Sequence, residues 1–385
     1  MIQFADRLNT VQEYYFSRKL REVRELMAEG KPIINIGIGS PDLQPPSEVI
    51  KAITDGINEN GAHKYQSYQG IPELREAISL FYKTHYNTTV NPSNEVLPLM
   101  GSKEGIMHIS LALLNEGDQV LIPNPGYPTY TSVTNLIGAE AVYYNLSEDN
   151  GYQPNFDELE SLELSKVKLM WINYPHMPTG ENAKKDTYEK LIQFAKKHSI
   201  LIVNDNPYSF ILNEKPTSIL ELEGAKDVAL ELNSLSKTFN MAGWRVGMLL
   251  GNANFLNQVL KVKTQMDSGM FYGVQKGAIE ALKTSKSWIQ QQNELYKERK
   301  ALVFQLAEKI GCTFNKNTSG LFVWAKLPSG KTSEEFIDEL LYKYHIFAAP
   351  GTIFGSQGEG YIRFSLCVNK DQIKEAINRL ENHNN

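Results

Sequence analysis

Seven short apolar, β-favouring runs recur through the middle of this chain, at 95–100, 119–122, 141–146, 168–173, 200–204, 228–233 and 246–250. Most are separated by segments with helical periodicity, and several are apolar on both faces. A strand of that kind is stable only when helices cover it on both sides. The alternation therefore predicts an α/β fold: a large domain over 45–283 with a mostly parallel sheet between helix layers.

Helical patterns at 11–29, stopped by Gly30, and at 48–60, stopped by Gly61, use glycine as a left-handed end. Another helix opens at Pro72, a residue favoured in a first turn. Beyond the large unit, helical patterns cover 285–310 and 333–344, and strand patterns cover 321–326, 346–349 and 361–365. They predict a smaller α+β domain over 284–385. An N-terminal arm, 1–44, contributes a helix with no partner in the large unit's pattern, and it is expected to pack with the smaller domain. The polar tail 381–385 is expected to fray.

With 385 residues, 42% hydrophobic and 22% charged, the chain has ample core-forming material, which excludes general disorder. Thirty-nine basic against 44 acidic residues give −5, without the basic footprint of a nucleic-acid binder. The longest apolar runs, such as 246–250, are far too short for a membrane span. No apolar leader stands in residues 1–25, and the two cysteines, Cys312 and Cys367, suit core packing better than a disulfide framework. A reducing cytoplasm is the expected compartment. Seven scattered histidines show no metal-ligand spacing, so no metal is expected.

Chemistry concentrates around Lys237, in the stretch Ser234-Leu235-Ser236-Lys237 through Gly243-Trp244-Arg245. A lysine directly after a buried strand is unusual, and burial turns its amine into a nucleophile towards carbonyls. Ser234, Ser236 and Arg245 have the hydroxyls and the two-pronged cation that grip a phosphate. Gly101 and Ser102 open a helix after a strand, where free N–H groups face an anion. Asp205 and Tyr208 follow the strand at 200–204, at the edge where parallel sheets bind ligands. Tyr127, just after Pro125-Gly126, can stack on a planar ring. Taken singly, Asp205 also reads as a turn cap and Tyr127 as a packing residue.

Together, from Gly39-Ser40-Pro41-Asp42 to Arg363, these elements resemble the pyridoxal 5′-phosphate-dependent aminotransferases of classes I and II, fold type I. The resemblance implies that Lys237 forms a Schiff base with the cofactor and moves the substrate's Cα proton. It implies that Asp205 pairs with the pyridine nitrogen, Tyr208 bonds the phenolic oxygen and Tyr127 stacks on the ring. Gly101, Ser102, Lys103, Ser234, Ser236 and Arg245 match the phosphate region. Tyr65 matches a tyrosine that reaches the neighbouring subunit's phosphate, which implies a homodimer with shared sites. Arg363 matches the clamp for the substrate α-carboxylate, with Gly39 beside it.

The chain departs from the family at Met177. The family reads Asn-Pro-Thr-Gly where this sequence has Met177-Pro178-Thr179-Gly180. The family's asparagine donates to the cofactor's phenolic oxygen, and methionine has no donor. Asn173 or His176 can turn inwards to replace it. Two other motifs fail on inspection. The run 325–332, Ala-Lys-Leu-Pro-Ser-Gly-Lys-Thr, has alanine where a phosphate loop needs glycine. The run 37–42 has Asp42 where a dinucleotide fingerprint needs its third glycine.

The resemblance implies transfer of an amino group from an L-amino acid to a 2-oxo acid by a ping-pong mechanism. Alternatives on the same scaffold are a carbon–sulfur β-lyase and a non-catalytic sensor of the cofactor. No clear second arginine is placed for a side-chain carboxylate, so a neutral or aromatic donor is expected. The cluster Tyr14-Tyr15-Phe16 either lines that pocket or packs the N-terminal helix.

Overall fold

The computed structural model describes residues 2–10, 15–328 and 330–382. Its centre is a seven-stranded sheet in the order Val96–Leu99, Gly247–Gly251, Ala229–Ser234, Leu201–Asp205, Val167–Ile172, Gln119–Asn124, Glu140–Asn145. Gly247–Gly251 runs against both neighbours, and the other strands are parallel to one another. Every residue of Leu201–Asp205 and Ala229–Ser234 is buried. Helices flank both faces, as their two-sided apolar character requires, so the expected α/β fold is the one observed.

Two separate apolar cores lie against this sheet. One packs Leu97, Ile109, Trp171 and Leu256, while the other runs from Ile78 and Tyr174 to the smaller sheet. The smaller sheet orders Ala349–Pro350, Tyr361–Ser365, Phe322–Lys326 and Thr313–Phe314, all antiparallel. The long helix Lys286–Lys309 and the helices Ser333–Tyr344 and Lys370–Asn382 accompany it.

The run expected as one strand at 346–349 is two. Ile346–Phe347 pairs in parallel with Ile34–Asn35, and Ala349–Pro350 joins the smaller sheet. The N-terminal helix spans Tyr15–Ala28, and its expected start at 11–14 lies outside the described residues. Lys19 on it pairs with Asp338 at 2.7 Å, and Phe16 stacks on Phe347. Of the tail expected to fray, residues 381 and 382 close the last helix, and 383–385 lie outside the described residues. The motif at 325–332 ends a strand and starts a helix, where Thr332 and Glu335 form a capping box. Among the described residues, no helix is long and apolar enough to cross a membrane.

Candidate active site

The parallel strands end on one side of the sheet, and the residues that follow them converge on a cavity of about 600 Å³. Gly39, Ser102, Lys103, Tyr127, Met177, Asp205, Tyr208, Ser234, Ser236, Lys237, Arg245 and Arg363 all line it. Residues some 320 positions apart in sequence thus share one hollow because each closes a different strand or loop.

At one end lies a cradle of Gly101, Ser102, Ser234, Ser236 and Arg245. Gly101, with φ +91°, caps the helix Ser102–Leu113, and a Cβ there would stand 2.2 Å from Arg245 Nη2. Only glycine allows both the left-handed turn and that approach. Arg245 is itself left-handed at φ 56°, and its Nη1 donates to the Ala242 carbonyl at 2.9 Å. Ser234 caps the short helix Leu235–Thr238, which carries Ser236 and Lys237 into the cavity. The buried Ser102 hydroxyl has no partner.

Asp205 closes the strand Leu201–Asp205 at the cavity floor. Its Oδ2 accepts from Tyr130 Oη at 2.9 Å, and its buried Oδ1 has no partner. Burial pushes the carboxyl up to about 7, against the opposing pull of the Tyr130 bond and of Lys237. Tyr130 stacks on Trp171 at 4.8 Å and 4°, which fixes its hydroxyl. Burial likewise raises the Tyr208 phenol well above its ordinary value. Burial, with Arg363 and Arg245 assisting, lowers the Lys237 ammonium, whose Nζ donates to the Gly39 carbonyl at 2.6 Å.

Arg363 forms the other end. Its guanidinium lies 3.9 Å from the Phe322 ring centroid and 4.6 Å from that of Phe354. Nη2 donates to the Gly37 carbonyl at 2.9 Å, Nη1 donates to Met177 Sδ at 3.4 Å, and Nε is unpartnered. The segment 37–42 that touches both Arg363 and Lys237 is anchored by Asp42, which accepts from Arg299 at 2.6 and 2.9 Å. Gly39 is a close approach too, since a Cβ would stand 2.4 Å from the Phe322 ring.

Two residues proposed to replace the missing asparagine behave differently. Asn173 lines the cavity, but its amide donates to the Asp205 carbonyl and its oxygen accepts from the Met177 amide. His176 is buried against Thr179 Oγ1 at 2.8 Å, burial pushing it down to about 3, and it does not line the cavity. Of the aromatic cluster, Tyr15 and Phe16 line the cavity, and Tyr14 lies outside the described residues. Tyr65 is elsewhere, 89% exposed on the surface.

Sequence reasoning missed Tyr130, Phe322 and Phe354. Tyr130 stands one helical turn after Tyr127, a spacing that would have pointed to it. The two phenylalanines have no local signal, because they are brought to Arg363 only by tertiary packing. Linear spacing also hid a convergence of Glu104, His108 and Asp267, whose ligand atoms lie within 4.8 Å of one another. Lys263, 2.7 Å from Asp267, already supplies positive charge there, and none of the four lines the cavity.

A glycine turn against a guanidinium with serine hydroxyls beside it, a buried amine, an unpartnered buried carboxylate oxygen and a second buried guanidinium together fit pyridoxal 5′-phosphate and an amino-acid substrate. The comparisons agree. The family model for aminotransferase classes I and II matches residues 31–380. The chain is 41% identical over 381 residues to an LL-diaminopimelate aminotransferase of Maridesulfovibrio salexigens, covering 98% of each chain. It is 39% identical to the enzyme of that name in Aquifex aeolicus, covering 99% of each. Apo-BacF of Bacillus subtilis superposes with a TM-score of 0.95 at 37% identity, covering 100% of this chain and 99% of BacF. An aminotransferase of Staphylococcus aureus gives 0.90 at 32%, covering 98% of both. Matched along almost its whole length, this chain belongs to the class I and II aminotransferases, which depend on pyridoxal 5′-phosphate.

Proposed function

We propose that this aminotransferase takes a neutral or aromatic L-amino acid as donor and works in the cavity between Gly101 and Arg363. Pyridoxal 5′-phosphate, when bound, supplies an aldehyde that takes up the amino group and a ring that draws electrons from the Cα–H bond. Ser102, Lys103, Ser234, Ser236, Arg245 and the Gly101 turn would hold its phosphate. Asp205 would meet the ring nitrogen, Tyr208 the phenolic oxygen and Tyr127 the ring face, with Met177 alongside. The buried atoms left without partners, Asp205 Oδ1 and Ser102 Oγ, support this assignment.

In this reading Lys237 is the nucleophile and the base. Its lowered proton affinity leaves more free amine at neutral pH to accept the substrate's Cα proton and hand it on. Arg363 grips the substrate carboxylate in two-pronged fashion and so fixes which bond faces Lys237. Phe322 and Phe354 keep water from its faces. Tyr208 stays a hydroxyl donor at neutral pH because burial disfavours its anion.

The substrate class rests on the charge of the walls. Among the described residues, the cavity's cations are Lys103 and Arg245 at the cradle, Lys237, and Arg363. The rest of the lining includes Tyr15, Phe16, Ser17, Thr352, Ile353 and Phe354, all uncharged. An apolar or aromatic side chain is stable there, whereas a second charge would be desolvated without a partner. The relatives' names favour a second reading, LL-diaminopimelate as donor. That donor needs partners for a further carboxylate and a further ammonium.

The exposed Tyr65 supports a homodimer in which each copy completes the other's phosphate site. The compartment that suits such an enzyme is the cytoplasm. A donor panel of phenylalanine, tyrosine, leucine and LL-diaminopimelate, each with 2-oxoglutarate, separates the two substrate readings. We expect kcat/KM for the best uncharged donor to exceed that for LL-diaminopimelate by roughly tenfold or more, since neither of its two further charges would find a partner. The reverse order would overturn the substrate assignment.

A further inference from the structure

A second hollow, of about 1160 Å³, lies between the long helix Lys286–Lys309 and the segment that follows Tyr208. Four lysines line it, Lys286, Lys297, Lys300 and Lys316, against two glutamates, Glu214 and Glu294. Lys297 and Lys316 have distant or outlying partners, Glu294 at 3.9 Å and Glu308 at 3.3 Å. Lys300 differs from both. It is only 8% exposed, and its Nζ donates to the carbonyl oxygen of Thr318 and to Thr318 Oγ1 at 3.1 Å.

Among the described residues no carboxylate lies within 4.0 Å of that ammonium. A buried cation with no carboxylate in direct contact is unfavourable, and one that lines an open hollow attracts an anion. The Phe304 ring, 5.5 Å away, offsets only part of the cost. Burial pushes the Lys300 ammonium down to about 8, with Glu181 alone acting the other way. Lys297 and Lys300 are three residues apart on one helix, so their side chains stand side by side. Two adjacent cations suit a ligand with more than one negative group.

We propose that this groove binds a small organic polyanion, one with two or more carboxylate or phosphate groups, anchored on Lys300 with Lys297 beside it. Its occupant would touch the frame of the catalytic cavity. Beyond Thr318, the Ser319 amide donates to the Gly180 carbonyl at 2.7 Å and the Gly320 amide to the Ile211 carbonyl at 2.8 Å. Those carbonyls belong to the turn after Met177 and the segment after Tyr208. Asn293, on the same helix face, clamps that segment through Leu212 and Phe210, both at 2.9 Å.

Isothermal titration of the cofactor-loaded enzyme in low salt, with citrate and with inorganic pyrophosphate as separate probes, tests the site. At least one probe should bind with a Kd of about a millimolar or tighter. Lys300→Met should weaken that binding roughly tenfold or more, Lys297→Gln several-fold, and added salt should weaken it further. Binding of citrate alone assigns the groove to carboxylate carriers, and binding of pyrophosphate alone to phosphate carriers. Failure of both probes to bind, or binding that is equal in the wild type and both variants, overturns the proposal. Lys297 is exposed on its helix, so Lys297→Gln decides the matter if Lys300→Met does not fold.

Discussion

Met177 and Arg363 are in direct contact: the arginine's Nη1 donates to the methionine sulfur at 3.4 Å. The residue that replaces the family's asparagine therefore touches the group proposed to take the substrate carboxylate. A thioether is a weak acceptor, so an incoming carboxylate displaces it at little cost. It also offers no hydrogen bond to the cofactor's phenolic oxygen.

Met177→Asn restores that donor, and a donor favours the deprotonated oxygen. The pH midpoint of the cofactor's visible band should fall by about one unit, the size of one hydrogen bond to a charged group. The asparagine's oxygen would also compete for Arg363 and raise KM for the donor. Spectra recorded across pH on the purified variant check the first effect, and unchanged midpoints would contradict it.

Asp205 makes the cofactor-free protein sensitive to pH. Its carboxyl is raised from 3.8 to about 7, so between those values the folded state binds more protons than the unfolded state. Stability from this group is complete below pH 3.8 and is lost as pH rises towards 7, by up to a few kcal/mol. Thermal melts of cofactor-stripped Asp205→Asn should lack this decline, while the stripped wild type shows it. A cation at Oδ1 removes the desolvation penalty, so the loaded wild type should not show it either.

Gly101→Ala should cripple the cradle without unfolding the chain. The new Cβ meets Arg245 Nη2 at 2.2 Å and must adopt φ +91°. Strain of about 1–2 kcal/mol plus a displaced guanidinium predicts cofactor affinity lower by roughly tenfold to a hundredfold. Titration of the stripped protein with cofactor, followed by the visible band, measures it.

Phe354→Leu removes one aromatic face from Arg363 and keeps an apolar filler. A desolvated cation–π contact is worth about 2 kcal/mol, so the donor's KM should rise by up to roughly thirtyfold with kcat changed far less. An equal fall in kcat would mean that the ring acts in the chemical step and not in holding the clamp.

Several of these groups were legible in the linear sequence, for a physical reason. Strands buried on both faces are continuous apolar runs, so Asp205, at the end of one, and Lys237, just past another, stand out as polar residues. Glycine at Gly101 marks a turn that other residues cannot make. Arg363 was found through its place in a family order, and its local run gives no such contrast. What surrounds it was hidden, since Phe322 and Phe354 look like ordinary core residues until the smaller sheet folds. The pairing of Ile34–Asn35 with Ile346–Phe347 was hidden too, because strands of two residues carry no periodicity. Lys300 reads as one surface lysine among many on an amphipathic helix, and only the tertiary structure buries it.

Lys237 is the residue proposed to carry the cofactor. Borohydride reduction of the loaded enzyme, followed by proteolysis and mass spectrometry, locates the lysine to which the cofactor is joined. The reduced pyridoxyl group should appear on the peptide containing Lys237, and a Lys237→Ala variant should carry none. A label on any other lysine, or no label in an enzyme that holds its cofactor, would rule out Lys237 as that residue.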